Sequence, residues 1–398
     1  MKINSPSLFI EINNFEYIFA VGDKDQQDNF KLIYEHIVPT KGIEKTRITN
    51  LDLVFDDIKK NIYLIEQKLN FIFKEVVLIL NNFECSFINL TGFKKLNGSQ
   101  ILKENIAYIL NSLKSNVDET EEKKTILHIF NSNYSLDKKK IENLPIGLFG
   151  DFYSHELSFC LINNNDYKNL NNIFLKCNLK IKKILLKSFV EGSFISNKNE
   201  NLNTFFKIAI KENTSQLLYF ENDSLKFEQK FSFGSDLVIR DLSKITSLKI
   251  ETIKKIIKNT KLAKDVSKDE LIEKELFEDE NYVKIKKRLI LKVTEARIQE
   301  FAEIMIIKNV NLLNYVKKDK VIFLTIDNQL HFHFFKDIYK FFFSINNQLS
   351  VKFMNNIATD DLISQVNKIV HYGWNKEAIP VTHTKKSLIA KFFDLIFG

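Results

Sequence analysis

The feature that most constrains the fold is a pattern of strands and a helix that occurs twice along the 398-residue chain. Each copy begins with three short segments rich in Ile, Phe, Tyr and Val, separated by Asn and Asp as in strands joined by turns. A helical segment and then an apolar strand follow. This duplication predicts two similar α/β domains. The predicted segments are 8–12, 17–21, 31–38, 51–73 and 76–80, and then 205–210, 216–220, 225–231, 237–261 and 321–325.

The remaining sequence predicts how these two halves are extended. Helix-like and strand-like segments after the first half predict a small inserted α+β subdomain, and a charged helical insertion extends the second half. Polar residues near the end predict a linker that leads to a terminal helix. The predicted parts are 1–82 with 164–202 (first lobe), 83–163 (inserted subdomain), 203–372 (second lobe, with its insertion at 249–320), 373–384 (linker) and 385–398 (terminal helix).

The composition is that of a globular protein, with 44% hydrophobic and 27% charged residues. A net charge of +8 suits nucleic acid or an anionic membrane surface. Lysines are spread along the whole chain and no nucleic-acid-binding motif occurs, so we predict no nucleic-acid partner. The three cysteines form no CxxC pair, which indicates a reducing cytoplasm. We expect no signal peptide, because the N-terminus lacks a basic start and a long apolar core. We expect no membrane-spanning helix, because no run of about 18 apolar residues occurs.

Two patterns that could carry chemistry favour ordinary structural roles. His331 and His333 could place two imidazoles on one strand face, but no acidic or cysteine partner lies nearby in the sequence, so we predict no metal site. Cys177 has no assigned histidine partner, and we interpret it as a small buried residue and not as a nucleophile. We therefore assign no catalytic residue.

Residues 385–398 predict an amphipathic helix. At about 100° per residue, the large apolar side chains fall on one arc and the polar ones on the other. Lys385 and Lys386 precede this arc, where they can reach lipid headgroups. The helix is too short to span a bilayer, so we predict that it lies flat in an anionic membrane surface; a helix docked on the protein's own core is the alternative. The apolar arc comprises Leu388, Ile389, Phe392, Phe393, Leu395, Ile396 and Phe397.

Six short motifs, in order and spread over nearly the whole chain, resemble those of FtsA, a bacterial cell division protein of the actin-like ATPase superfamily. The resemblance implies duplicated actin-like (ribonuclease H-like) domains with a nucleotide cleft between them, an inserted α+β subdomain and a C-terminal amphipathic helix. The motifs are PTKGIEKTRI at 39–48, LPIGLFG at 144–150, GSDLVIRD at 234–241, IETIK at 250–254, EARIQE at 295–300 and HYG at 371–373.

The departures from the family concentrate in its nucleotide loops. The first phosphate loop keeps Glu11 but has Asn13, Asn14 and Glu16 where the family has Gly, Thr and Lys. Each added side chain stands where a phosphate would approach bare backbone, and Glu16 has the wrong charge for a triphosphate. The first loop is therefore interpreted as an ordinary turn.

The other two loops depart from the family in the same way. The second phosphate loop, 209–216, keeps only Thr214 of its polar set and gains Glu212, and the adenosine loop begins at Thr325. Glu251, Lys254 and Thr325 could still hold an adenosine. We therefore expect weak or absent ATP hydrolysis, so that the chain is not an enzyme, and leave ATP open as a cofactor.

The resemblance also implies partners. In FtsA the positions that match Arg297 and Glu300 help to bind the acidic C-terminal tail of FtsZ, with Arg288, Lys286 and Lys287 here as supporting cations. An ordinary pair of charges within one helix is the alternative for Arg297 and Glu300. The inserted subdomain would mediate self-association into filaments.

The function implied by the resemblance is an adaptor that joins FtsZ filaments to the inner face of the cytoplasmic membrane at the division site. It would act by binding and not by turnover. One alternative is an ATP-dependent enzyme or chaperone of the same superfamily, such as a sugar kinase or a heat-shock chaperone. Another is an inner-membrane platform protein for pilus assembly, which would lack the lipid-binding helix.

Overall fold

A computed structural model describes the chain in two compact units, Met1–Lys198 with Ala358–Gly398, and Asn199–Ile357. The described residues are 6–24, 30–44, 47–259, 269–277, 280–312, 315, 320–345 and 348–379. The predicted terminal helix, 385–398, and the end of the predicted linker, 380–384, lie outside these residues.

The main sheet of the first unit has the strand order β11-β6-β1-β2-β3. β1 is central, pairing antiparallel with β2 and parallel with β6. Its residues are buried on both faces because helices cover the sheet, which explains the almost continuous apolar sequence. The strands are β1 (Ser7–Ile12), β2 (Glu16–Lys24), β3 (Phe30–Pro39), β6 (Glu75–Leu80) and β11 (Lys180–Leu186), with a hairpin of β4 (Ile43–Glu44) and β5 (Arg47–Ile48) beside them.

The sheet of the second unit repeats this arrangement, with the strand order β16-β15-β12-β13-β14. β12 is central and pairs antiparallel with β13 and parallel with β15, as β1 does in the first unit. The predicted duplication is therefore confirmed. The strands are β12 (Phe205–Ile210), β13 (Ser215–Glu221), β14 (Ser224–Phe231), β15 (Val321–Ile326) and β16 (Ser350–Phe353).

A second sheet in the first unit builds the inserted subdomain, with the order β17-β8-β10-β7 and β9 beside β8. Helix α2 packs on one face of this sheet and contacts β7 at Gly92, where a Cβ would lie 2.3 Å from the Ile109 side chain. The sequence did not indicate β7, whose polar and apolar residues do not alternate cleanly. The elements are β7 (Cys85–Lys95), α2 (Lys103–Thr120), β8 (Lys124–Leu136), β9 (Lys139–Ile141), β10 (Phe152–Asn163) and β17 (Glu377–Ile379).

The other helices bury apolar stripes against the two main sheets. The sequence predicts one helix over 237–261, but the structure has two, because Ser247 adopts a left-handed conformation with φ 59° that ends the first. The helices are α1 (Leu51–Leu69), α3 (Asn164–Lys176), α4 (Lys187–Lys198) and α9 (Thr359–Tyr372) in the first unit, and α5 (Asp236–Thr246), α6 (Ile250–Asn259), α7 (Lys287–Ala302) and α8 (Gln329–Phe343) in the second.

Helix α9 corrects one predicted boundary. The sequence assigns residues 203–372 to the second lobe, whereas α9 packs against α4 and β3 in the first unit. Gln365 donates from Nε2 to Ser193 Oγ at 3.0 Å and accepts from Asn197 Nδ2 at 3.0 Å, both on α4. The residues that make these contacts lie far apart in sequence, so no local sequence pattern predicts them.

The predicted linker, 373–384, also differs from a plain tether. Within it, β17 pairs with β8 of the inserted subdomain, and the side chain of Glu377 is only 2% exposed. Among the described residues, every helix is too short or too polar to cross a bilayer.

Candidate functional site

The β1–β2 turn is the first of the two predicted phosphate loops. Asn13 is buried, and its Oδ1 accepts the backbone N–H of Phe15 at 2.7 Å and that of Glu16 at 3.0 Å. The backbone N–H of Asn13 donates to the carbonyl of Glu16 at 3.3 Å, which closes the hairpin. The amides that a glycine-containing loop could direct at a phosphate are therefore bonded within the turn.

Glu11 lies just before this turn, at the end of β1, and is almost fully buried. Its Oε1 accepts from Asn81 Nδ2 at 2.7 Å and from Lys187 Nζ at 2.8 Å. Burial opposes the charged form of Lys187, but Glu11 and Glu191 outweigh it and hold the pKa of Lys187 above its usual value. Glu11 thus links β1 to α4 through a largely buried ion pair, and to Asn81, just after β6, through a hydrogen bond.

The β12–β13 turn, the second predicted phosphate loop, is bonded to the beginning of α5. The backbone N–H groups of Ser235 and Asp236 donate to the carbonyls of Lys211 and Glu212 at 2.9 and 3.0 Å. The first amides of a helix are where anions commonly bind, and here the turn itself takes them. Gly234 permits this approach, since a Cβ there would lie 2.2 Å from the Lys211 carbonyl oxygen.

The remaining candidate nucleotide residues fall in the second unit. Thr214 is exposed in the β12–β13 turn, and its carbonyl accepts the N–H of Lys211 at 2.9 Å. Glu251 and Lys254 are exposed on the first turns of α6. Thr325 is buried near the end of β15, with a hydroxyl that has no hydrogen-bond partner. Glu11, the fifth candidate for the nucleotide site, differs from these four residues because it belongs to the first unit.

The candidate partner site lies on α7 and is largely occupied by the protein's own acidic groups. Arg297 donates from Nε to Asp241 Oδ2 at 2.5 Å and from Nη1 to Glu300 Oε2. Arg297 thus pairs with Asp241 on α5 as well as with Glu300, and the sequence did not indicate Asp241. Any binding of a partner by Arg297 would compete with both acidic groups. Asp241 lies more than 50 residues before Arg297, so the periodicity of one helix could not have indicated this pair.

The three supporting cations differ in their surroundings. Lys287 is buried and donates to Glu270 and Glu273 at 2.7 Å each, which holds its pKa above the usual value. Lys286 pairs with Asp269 at 2.8 Å on the surface. Arg288 is exposed and makes no ion pair with any other described residue. Of the three, only Arg288 has no ionic partner in the part of the chain that the structure describes.

The remaining groups considered in the sequence are a possible metal site and Cys177. No cluster of three His, Cys, Asp or Glu side chains with metal-binding geometry occurs among them. Cys177 is half-buried, and burial raises the pKa of its thiol to about 11, which disfavours the reactive thiolate.

Known proteins resemble this chain both in sequence and in fold. No family model matches the chain. It is 25% identical over 234 residues to the cell division protein FtsA of Buchnera aphidicola subsp. Schizaphis graminum, which is 59% of this chain and 56% of that protein. It is 22% identical over 315 residues to FtsA of the Baizongia pistaciae subspecies, which is 78% of this chain and 73% of that protein. The chain thus spans just over half the length of the first relative.

Among solved structures, the PilM–PilN type IV pilus biogenesis complex matches with a TM-score of 0.50 and 8% identity, over 92% of this chain and 98% of that chain. With the repeated strand order, this match defines an actin-like ATPase fold and confirms the predicted fold class. The FtsA matches confirm the resemblance seen in the motifs. The chain thus resembles FtsA in sequence and has an actin-like fold.

Gly234 provides a test of the β12–β13 turn. Gly234→Ala should lower the free energy of unfolding by about 1–3 kcal/mol, because the new Cβ would force apart the turn and the start of α5. Urea titration of the whole chain measures this change.

The neighbouring Ser235→Ala is the control. The Ser235 hydroxyl is buried without a partner, so its removal should be neutral or slightly stabilising. Equal stability of Gly234→Ala and the unsubstituted chain would contradict the close backbone approach.

Proposed function

We propose that this chain is an FtsA-like division adaptor that joins FtsZ filaments to the inner face of the cytoplasmic membrane at the division site. The observation that carries the proposal is the similarity to FtsA over up to 78% of the chain, on an actin-like fold. The adaptor acts by binding FtsZ, lipid and further copies of itself.

Turnover of ATP has no part in this proposal. The amides of Phe15 and Glu16 are bonded to the side chain of Asn13, and the first amides of α5 are bonded to the β12–β13 turn. A phosphate would have to displace these bonds, each of which contributes about 1 kcal/mol net. Glu16 and Glu212 would further repel a triphosphate. We therefore propose that nucleotide hydrolysis is weak or absent, whether or not ATP binds.

Membrane attachment is assigned to residues 385–398. Full burial of one Leu, Ile or Phe side chain is worth roughly 1.5–3 kcal/mol, so a partly buried arc of such residues supports reversible attachment. Filament formation would strengthen it, because linked copies bind the same membrane together.

Liposome co-sedimentation tests this attachment. Deletion of residues 385–398 should abolish binding to vesicles that contain acidic phospholipid. In the full chain, Phe393→Asp should weaken binding by roughly tenfold or more because it places a charge in the apolar arc. Ala390→Asp adds the same charge on the polar side and is the matched control. Unchanged binding after the deletion would refute the anchor.

The FtsZ tail is proposed to bind along the exposed side of α7. Arg288 and Lys292 are exposed, lie one turn apart and make no ion pair with other described residues. Leu289, beside them, is 38% exposed and offers an apolar contact. These residues suit an acidic peptide with apolar side chains, whereas Arg297 is shared between Asp241 and Glu300.

Charge reversal tests this surface. Arg288→Glu and Lys292→Glu should each weaken binding of an FtsZ C-terminal peptide by roughly tenfold, and the effect should shrink at high salt because the charges are exposed. Fluorescence anisotropy with the purified chain measures both.

Lys168→Glu is the control, because Lys168 is an exposed lysine of the first unit without an ion pair among the described residues. If the FtsZ peptide does not bind the unsubstituted chain, this result contradicts the adaptor proposal and favours the pilus-type platform.

Self-association is assigned to the inserted subdomain, which exposes a group of aromatic side chains at one end of its sheet. Phe93 on β7 and Phe152 on β10 have ring centroids 5.5 Å apart, and Phe149 in the preceding loop is 70% exposed. Exposed apolar groups of this kind mark contact surfaces between proteins. We name Phe93, Phe149 and Phe152 the aromatic end of the subdomain.

Substitution of the aromatic end tests this contact. Phe93→Ser and Phe149→Ser should each weaken self-association by about 30-fold if these rings are central to the contact. Phe341→Ser removes an exposed ring from α8 in the second unit and should leave it unchanged. Sedimentation velocity across a range of concentrations measures the association; an unaltered profile for both aromatic-end variants would contradict the assignment.

A further inference from the structure

Residues 374–379 follow α9 and reach the edge of β8, where a turn over 374–377 leads into the short added strand β17. The backbone N–H of Asn131 donates to the carbonyl of Lys376 at 2.7 Å, and Glu377 and Ile379 stand opposite Phe130 and Ile129 in antiparallel register. This is the arrangement by which sheets bind extended peptides in many complexes. We name residues 374–379 the edge peptide.

The edge peptide inserts one charged side chain into the protein. The carboxylate of Glu377 is 2% exposed and accepts from Lys183 Nζ at 2.6 Å through Oε2. Its Oε1 lies 3.1 Å from Nδ1 of His128, which is fully buried. One carboxylate thus satisfies both a buried cation on β11 and a buried imidazole on β8.

The backbone fixes the protonation of His128. The N–H of Leu186 approaches His128 Nε2 at 3.4 Å, so this nitrogen accepts and Nδ1 carries the proton that is donated to Glu377. Burial lowers the pKa of His128, which agrees with a neutral ring. The site therefore presents an N–H donor and an ammonium group at fixed positions, a pair of donors that suits a carboxylate and not an amide.

Apolar contacts flank the carboxylate. Trp374 stands edge-on to Phe189 of α4 with ring centroids 6.1 Å apart, and Ala378 packs against the core of the inserted subdomain. The Lys376 ammonium lies 5.3 Å from the centre of the Tyr134 ring. Recognition thus combines main-chain pairing, one charge and a few apolar contacts.

The site that receives the edge peptide belongs to other parts of the chain. His128, Lys183 and Phe189 come from β8, β11 and α4, and the edge peptide joins α9 through Gly373. Gly373 has a φ of +76° and open space around it, so the chain direction can change there at little cost. Removing the edge peptide would leave Lys183, 9% exposed, without its carboxylate, which is costly unless another carboxylate enters.

We propose that the β8 edge with His128 and Lys183 is a strand-binding site that recognises glutamate, filled within one chain by the edge peptide and filled between chains by the edge peptide of a second copy. The second copy is the occupant that fits, because it supplies the same residues to the same contacts and Gly373 provides the hinge. Exchange of identical segments is a common route to assembly, and raised local concentration favours it over the internal contact. This inference is independent of FtsZ and of lipid.

A labelled peptide of residues 373–380 tests recognition in the full chain. Glu377→Gln weakens the internal strand while leaving the site intact, so the peptide should bind this variant roughly tenfold to a hundredfold more tightly than the unsubstituted chain. A peptide with Gln at the same position should show no such gain. Adding Lys183→Met to the variant should abolish the gain.

Trp374→Ala offers a second way to loosen the internal strand without altering the recognised charge, and it should also increase peptide binding. Equal binding of the Glu and Gln peptides, or equal binding to the unsubstituted chain and to both loosened variants, would overturn the recognition of glutamate.

Mixing two variants tests exchange between copies. Lys183→Met keeps an intact edge peptide, and Glu377→Gln keeps an intact site. With Phe93→Ser and Phe149→Ser added to both chains to weaken the aromatic end, a mixture should form a mixed dimer that neither variant forms alone. Sedimentation velocity with one variant labelled detects it. Absence of a mixed dimer at concentrations where the labelled peptide binds would overturn the second copy as the occupant.

Discussion

The central position of one strand in each main sheet constrains the rest of the structure. β1 and β12 each have an antiparallel neighbour on one side and a parallel neighbour on the other. Such strands are buried on both faces, so their residues are mostly apolar, and Lys207 on β12 is the exception away from the strand ends. Polar residues can gather only where these strands end and turn, and Glu11 and Thr214 lie at those turns, with Thr325 near the end of the parallel neighbour β15.

The actin-like frame is therefore compatible with two different kinds of turn. In a phosphate-binding turn the backbone amides stay free, which requires residues without obstructing side chains. Here Asn13 bonds the amides of its own turn, and the β12–β13 turn is bonded to the first amides of α5. The strands can keep their positions while the turns change, because the burial that stabilises the sheet does not depend on the turn residues.

Local sequence patterns predicted the elements that depend on local spacing. The two three-strand meanders and the parallel strands β6 and β15 follow the predicted segments closely, since turn residues and apolar runs define them. Helix α1 ends at Leu69 and not at 73, because Asn70 adopts a left-handed conformation. No local pattern indicated β7, and residues 373–384 were predicted as a plain linker, although the side chain of Glu377 is in fact buried. The sequence predicted which residues belong to the candidate sites. Only the tertiary structure showed the hydrogen bonds of Asn13 and the pairing of Arg297 with Asp241.

The sequence by itself determined the duplicated strand order and the resemblance to FtsA, because apolar periodicity and short motifs act over neighbouring residues. Only the tertiary structure decided that α9 belongs to the first unit and that a glutamate near the end of the described chain meets Lys183 and His128. The two contacts of Glu377 join residues 194 and 249 positions apart. Buried charges select their partners through the three-dimensional fold, and no spacing along the chain encodes that choice.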